Sequence, residues 1–371
     1  MNFYKFTNDL DSKHTARILR KSKTFNNKII MVNGFNASGK TLFSPIVSSI
    51  DKVELMSFVY EVEWCSSFLY SGGMSSESYI EFVRSYMDHL IYNQMMSRSV
   101  NFRLSDLSGV FNSKSKWTYI KRLFQEGDNV IPGRIKQTNP ILSLTTCHLL
   151  PFLPSLSKAL QERLLFIEVI RDPMFMVQQL LILHKEIIGA HSEKDFTIRV
   201  NESGIDATYL DYYSSSNVFD NIRKSDDATI VVSYLERMFE FYFNLDFNKI
   251  EKNPSNFMLI PFEKFVLSPR KWVESIVRFT KSKWSKAIER EMKRQKVPRE
   301  LMRSGRKTAV YERFGWSDDI KDRTLHEENK NYRKKIKKII ANENAYKRLE
   351  ELSNKYHNWI ESNQNRVFIN S

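Results

Sequence analysis

The eight residues Gly34-Phe35-Asn36-Ala37-Ser38-Gly39-Lys40-Thr41 constrain this chain more than any other stretch, because they fit the spacing G-x-x-x-x-G-K-[ST] in full. Upstream, Lys28-Ile29-Ile30-Met31-Val32 is a short β-branched run of the kind that becomes a buried strand. Downstream, Leu42, Phe43, Ile46, Val47 and Ile50 recur at helical spacing. A loop between a strand and a helix aims its backbone N–H groups at one point, where the unpaired amides and the helix dipole both favour an anion. Glycines let the backbone approach a phosphate, Lys40 brings a mobile positive charge and Thr41 a hydroxyl. The chain has only 11 glycines in 371 residues, less than half the usual share of ~7%. Two of them at this spacing argue for a phosphate loop, with an ordinary tight strand-to-helix turn as the alternative.

Further strand candidates alternate with helices. Leu164–Ile170 (LLFIEVI) is stopped by Arg171-Asp172-Pro173 and followed by the apolar stretch MFMVQQLLILH; Phe257–Phe262 (FMLIPF) precedes a segment that turns helical after Pro269. The expected fold is therefore α/β, of the P-loop type, with three layers: a central, mainly parallel sheet and many flanking helices. Residues 76–96 and 229–243 carry helical periodicity, and residues 330–360 read as a solvated helical region. With no internal repeat and no Gly/Ser-rich linker, the reading is a single domain over 1–371. It has helical insertions at about 65–130 and 190–250 and a helical C-terminal region at about 320–362. The polar segment Asp195–Asp226 reads as a long loop, a candidate lid.

Composition narrows the class. Apolar residues make up 42% and aromatics 13%, which is enough for a large core. No apolar run reaches the ~18 residues of a spanning helix, and the first residues lack the pattern of a secretory signal, so a soluble cytoplasmic protein is expected. Two cysteines, Cys65 and Cys147, are too few for a disulfide framework or a cysteine zinc site and read as buried thiols. Lys and Arg number 57 against 43 acids, and residues 281–307 hold eleven of the former and three of the latter. Such a run attracts phosphates or a polyanion. No nucleic-acid motif accompanies it, so nucleic acid is not the expected partner.

A phosphate loop does not name its chemistry. A Mg²⁺-dependent kinase or ATPase needs an acid at the end of a neighbouring strand. The candidate is Asp172, flanked by Arg171 and Pro173.

That flanking fits another pattern. NASGKTLFSPIV, TTCHLLPFLPSL (Thr145–Leu156), IEVIRDPMFMVQQ and LIPFEKFVLSPRKWVESIVRF, in this order over about 250 residues, resemble the sulfotransferases that use 3′-phosphoadenosine 5′-phosphosulfate. The resemblance implies transfer of a sulfonate group to a hydroxyl or amine, a saccharide being the favoured acceptor, with no metal. It implies donor contacts from Gly34, Asn36, Ala37, Ser38, Gly39, Lys40, Thr41 and Leu42 at the loop. Arg171 and Gln179 would hold the 3′-phosphate, joined by Arg306 and Lys307 in a segment similar to the family's closing Arg-Lys-Gly stretch. His148 would be the base, Asp106 an alternative base, Lys40 the stabiliser of the leaving phosphate, and Glu263 structural. Two departures stand out: Ala37 replaces the family's loop cation while Lys40 takes a threonine's place, and Gln179 stands where a serine is usual. Each residue also has a plainer reading. His148 suits a core or helix start; His89, His184, Trp64 and Trp117 suit ordinary helix or core positions. The competing functions are an ATP/GTP-dependent kinase or ATPase and a non-catalytic nucleotide or polyanion binder.

Overall fold

The computed structural model describes residues 25–184, 199–202, 205–208, 225–253, 255–304, 321–363 and 367–368. In chain order the elements are β1 (Ile29–Asn33), α1 (Lys40–Ser48), β2 (Ser57–Phe58), α2 (Tyr60–Tyr70), α3 (Ser76–Met95), α4 (Lys116–Arg122), α5 (Ile131–Thr138), β3 (Leu142–Thr145), α6 (Leu153–Leu160), β4 (Leu164–Ile170) and α7 (Pro173–Leu183). Beyond them come β5 (Arg199–Glu202), β6 (Ile205–Thr208), α8 (Asp227–Phe243), α9 (Phe247–Glu251), β7 (Asn256–Pro261), α10 (Phe262–Leu267), α11 (Arg270–Phe279), α12 (Lys286–Arg294), α13 (Leu325–Ile339), α14 (Glu343–Asn363) and β8 (Val367–Phe368).

The main sheet runs β2-β3-β1-β4-β7-β8; its first five strands are parallel, and β8 joins β7 antiparallel. β1 is buried along its whole length because it has a neighbour on each side and a helix layer on each face. Ile29 and Met31 enter one apolar layer with α3, α6, α7, α8 and α14, while Ile30 and Val32 enter the other with α1, α10, α11 and α12. This is the three-layer α/β arrangement that continuous β-branched runs demand. The chain passes from β1 to β3 on one side and then to β4 on the other. The connections leaving the C-terminal ends of these strands therefore diverge at β1, the position at which open α/β sheets generally leave room for a ligand.

Several sequence expectations change. Asp195–Asp226, read as an irregular loop, contains the antiparallel β5–β6 ribbon; the rest of it, apart from Ser225 and Asp226, lies outside the described residues. The charged C-terminal region is not merely solvated: Tyr332, Ile336, Leu349, Leu352, Tyr356 and Ile360 form an apolar stripe buried in the first layer. Trp117 is 65% exposed rather than core, and both cysteines are half-buried. No helix among the described residues is long and apolar enough to cross a membrane.

The approach to β4 is pinned by charge. Arg163 Nη2 donates to Asp88 Oδ1 on α3 at 2.9 Å, with both side chains buried. Removing one partner of such a pair strands the other charge, so Asp88→Ala is expected to lower stability by about 3–5 kcal/mol. Urea unfolding checks this, and an unchanged midpoint would contradict it.

Candidate functional site

Four connections meet at the C-terminal end of the sheet: the Gly34–Gly39 loop after β1, Cys147-His148 after β3, Arg171-Asp172 after β4 and Phe262-Glu263 after β7. The loop is shaped by contacts that exclude side chains. At Gly34 (φ +155°) a Cβ would lie 2.4 Å from the Val169 carbonyl oxygen, and at Gly39 (φ +101°) 2.3 Å from the Phe262 ring. Ala37 between them is left-handed as well, at φ +67°. Ser38 N donates to Phe35 O and Leu42 N to Gly39 O, while the amides of Lys40 and Thr41 donate to no acceptor among the described residues. The first turn of α1 carries no acid. The other end of α1 is closed by Lys114, whose ammonium donates to the Ser49 and Ile50 carbonyls. The helix thus offers its N-terminus to an anion and has a cation at its C-terminus.

Lys40 is buried and folded over the loop: its Nζ donates to Gly34 O at 2.9 Å, Phe35 O at 3.0 Å and Cys147 Sγ at 3.0 Å. Arg171 reaches the same loop, donating from Nη1 to Ala37 O at 3.1 Å and to Gln179 Oε1 at 3.5 Å. The structure therefore brings the loop, Arg171 and Gln179 together. Two polar atoms here are buried without a hydrogen-bond partner among the described residues, Ser38 Oγ and Arg171 Nε. Buried polar groups are ordinarily paired, which sets these two apart.

Arg171 is held rigidly. Asp172 caps α7 through Oδ1, its N–H donates to Glu263 Oε1 at 2.9 Å, and Tyr356 donates to Glu263 Oε2 at 2.7 Å. His357 Nε2 lies 2.9 Å from Asp172 Oδ2, and that carboxylate raises the imidazole's pKa against the effect of burial. Glu263 thus orients the turn behind Arg171. The Phe262 ring carries Arg171 at 4.6 Å and Arg299 at 5.9 Å. Burial and the charge of Arg171 push Arg299 down to about 10. Sequence reasoning did not single out Arg299, which is one of eleven basic residues; the available signal was Pro298 just before it, which marks where the chain leaves the α12 helix.

On the other side of β1, Asn33 Oδ1 accepts from Thr146 Oγ1 at 2.9 Å and Leu149 N at 3.1 Å, which fixes the turn bearing His148 at φ +60°. His148 is buried beside the Phe35 ring, its Nε2 is 2.6 Å from the Tyr234 hydroxyl, and burial together with the Lys40 charge pushes its pKa down to about 3. It is a neutral imidazole whose Nε2 already faces an O–H group. Asn33 Nδ2 donates to Glu168 Oε2 at 2.6 Å, and Tyr242 donates to Glu168 Oε1 at 2.7 Å. Burial pushes this carboxyl up to about 7. Glu168 was also missed in the sequence, hidden inside the apolar run of β4.

Other expected site residues are not joined to this cluster. The hydrogen-bond and ion-pair partners of Asp106 (Asn101, Arg103, Gly109 and Asn112) belong to its own loop. Thr41 is exposed and Leu42 and Asn36 are half-buried, the latter 3.5 Å from Cys147 Sγ. Arg306 and Lys307 lie outside the described residues. The basic run divides. Arg290 and Arg294 of α12 line a cleft of about 350 Å³ with Ser48 and Ser49, at the end of α1 remote from the loop, while Arg299 stacks on Phe262 at the loop end.

No protein-family model matches the sequence, and no curated protein matches it. Among solved structures, the fold is similar to the sulfotransferase domain of the olefin synthase from Synechococcus PCC 7002, at 10% identity and TM-score 0.38, over 92% of this chain and 98% of that one. It is also similar to a sulfotransferase from Mycobacterium tuberculosis, at 11% identity and TM-score 0.30, over 72% of this chain and 71% of that one.

The two shifted groups oppose one another in pH dependence. Between pH 4.5 and 7 the fold keeps a proton on Glu168 that the unfolded chain releases, so this group makes stability fall as pH rises. Between pH 3 and 6.5 the unfolded chain takes up a proton that folded His148 refuses, so that group makes stability rise with pH. Glu168→Gln is expected to gain about 3 kcal/mol relative to the parent chain as the pH rises from 4.5 to 7, read by urea unfolding across that range. A difference that does not vary with pH would contradict the placement of this proton.

Proposed function

We propose that this chain is a sulfotransferase that moves a sulfonate group from 3′-phosphoadenosine 5′-phosphosulfate to a hydroxyl or amine of an acceptor, a carbohydrate being the favoured class. The observation that carries this reading is the meeting of Arg171 with the Gly34–Thr41 loop, where Ser38 Oγ and Arg171 Nε are buried without acceptors. A donor with phosphates at both ends of its ribose fits that pair of sites. The loop amides and Ser38 would hold the 5′-phosphate; Arg171 with Gln179, joined by Arg299, would hold the 3′-phosphate, and Arg306 and Lys307 remain candidates for it. When bound, the donor supplies an activated sulfonate.

The protein's own residues do the rest. Lys40 exchanges its carbonyl partners for negative charge developing on the leaving phosphate, as a preorganised cation in a dry site. His148 takes the acceptor proton through the nitrogen that now faces Tyr234, its basicity recovering as the donor's negative charge offsets that of Lys40, which with burial holds the imidazole neutral. No step requires a metal.

The Gly-Lys-Thr signature favours an alternative reading as a Mg²⁺-dependent kinase or ATPase. Against it, both Asp172 oxygens are engaged, one by the α7 cap and one by His357, and both Glu168 oxygens accept hydrogen bonds from Asn33 and Tyr242.

Adenosine 3′,5′-bisphosphate without Mg²⁺ is expected to raise the melting temperature, by the equivalent of about 2.7 kcal/mol at a hundredfold excess over Kd. Stabilisation by ATP with Mg²⁺ alone would contradict the proposal. With radiolabelled donor and a mixture of saccharides, Lys40→Ala should lower transfer by about 10²–10³-fold. His148→Ala should keep the melting shift and lower transfer by about 10²–10⁴-fold.

A further inference from the structure

Beside the turn that carries His148, the sheet ends in an aromatic face that the core does not use. Edge strand β2 pairs with β3 so that Phe58 stands opposite Thr145, two residues before Cys147. Phe58, Tyr60 and Trp64 then follow one another as a ladder: Phe58 and Tyr60 have centroids 6.3 Å apart and planes 14° from parallel, and Tyr60 and Trp64 have centroids 6.3 Å apart and planes at 24°. Phe58 is 38% and Tyr60 53% exposed, and Trp64 is half-buried. A run of nearly coplanar rings left to water is costly unless something covers it.

The ladder is attached to the reacting end of the sheet. Glu63, between Tyr60 and Trp64 on α2, accepts from the Cys147 N–H at 2.7 Å, so the first turn of α2 is tied to the turn bearing His148. The Tyr60 phenol feels both groups: burial, then Cys147, then Glu63 raise its pKa. The charge beside it is acidic: between Lys52 and Arg84 the sequence holds no Lys or Arg, and exposed Glu61, hydrogen-bonded with Tyr86, follows Tyr60 in the first turn of α2. Of the other four glutamates, Glu54 and Glu81 are paired with Arg122 and Arg84, and Glu63 is buried. Arg290 and Arg294, which a polyanion would seek, line the cleft at the far end of α1.

We infer that the Phe58–Tyr60–Trp64 face is the acceptor subsite and that its occupant is a neutral saccharide, the C–H face of each pyranose stacking on a ring while carboxylates such as Glu61 accept from ring hydroxyls. This rests on the sulfotransferase reading, since it places the acceptor hydroxyl beside His148. Stacking supplies apolar contact without charge, and Glu61 disfavours uronic-acid or sulfated chains by like-charge repulsion. The affinity for acidic polysaccharide that the net charge of the chain suggests is therefore not expected at this face.

Binding is read on immobilised neutral oligosaccharides (glucans, mannans and N-acetylhexosamine oligomers), with heparin and 4-nitrophenol as comparators, all in the presence of adenosine 3′,5′-bisphosphate. The protein is expected to retain at least one neutral oligosaccharide in preference to heparin. Tyr60→Ala and Phe58→Ala should weaken that binding about tenfold or more, while Tyr60→Phe, which keeps the ring, retains most of it. The bisphosphate melting shift should be the same in all three variants, which separates loss of the ladder from loss of the fold. Binding of heparin or 4-nitrophenol in preference to every neutral oligosaccharide, or a Tyr60→Ala variant that binds as the parent does, would overturn the assignment. Absence of the bisphosphate shift in the parent chain would instead remove the sulfotransferase reading on which it stands.

Discussion

The contact between Gly39 and the Phe262 ring is the constraint on which the rest of the site depends. The ring occupies the place of a side chain at residue 39, so the loop after β1 and the first residue after β7 close over the C-terminal end of β4. On that ring rest Arg171 and Arg299, two guanidiniums that would otherwise repel one another next to buried apolar groups. The same closure sets Arg171 against the Ala37 carbonyl and brings the start of α1 to face inward. One aromatic ring thus holds the loop after β1 and two guanidiniums together at the C-terminal end of the central strands.

Around β1 the charges are arranged in opposition. Lys40 lies over the loop, His148 on the β3 side is kept neutral by burial and by that lysine, and Glu168 on the β4 side keeps its proton to near pH 7. Asn33, the last residue of β1, ties the two sides together by accepting from the His148 turn and donating to Glu168. Such a core is an expensive place for charges and polar groups left unpaired, and Ser38 Oγ and Arg171 Nε are both buried with no partner among the described residues.

How much of this the sequence disclosed follows from how far each signal is local. The turn from β1 into α1 was legible because its glycines stand where no side chain fits, and β1, β4 and β7 because strands buried on both faces read as unbroken apolar runs. β2 has two residues and β3 four, Leu142-Ser143-Leu144-Thr145, too short and too polar to stand out before pairing with β1. Glu168 was hidden by its apolar neighbours, and its role appears only when Asn33 and Tyr242 reach it across 135 and 74 residues of chain. The basic run misled for the same reason. Along the sequence it is one feature, but Arg290 and Arg294 of α12 line the cleft at the far end of α1, while Arg299 stacks on Phe262 beside the loop.

A crystal structure with adenosine 3′,5′-bisphosphate bound in the absence of metal tests the central claim most directly. It should show one phosphate on the Lys40 and Thr41 amides with Ser38 Oγ as donor, and the other on Arg171, with Nε now paired. A nucleotide bound away from the loop, or one whose phosphates leave Ser38 Oγ and Arg171 Nε without partners, would contradict it.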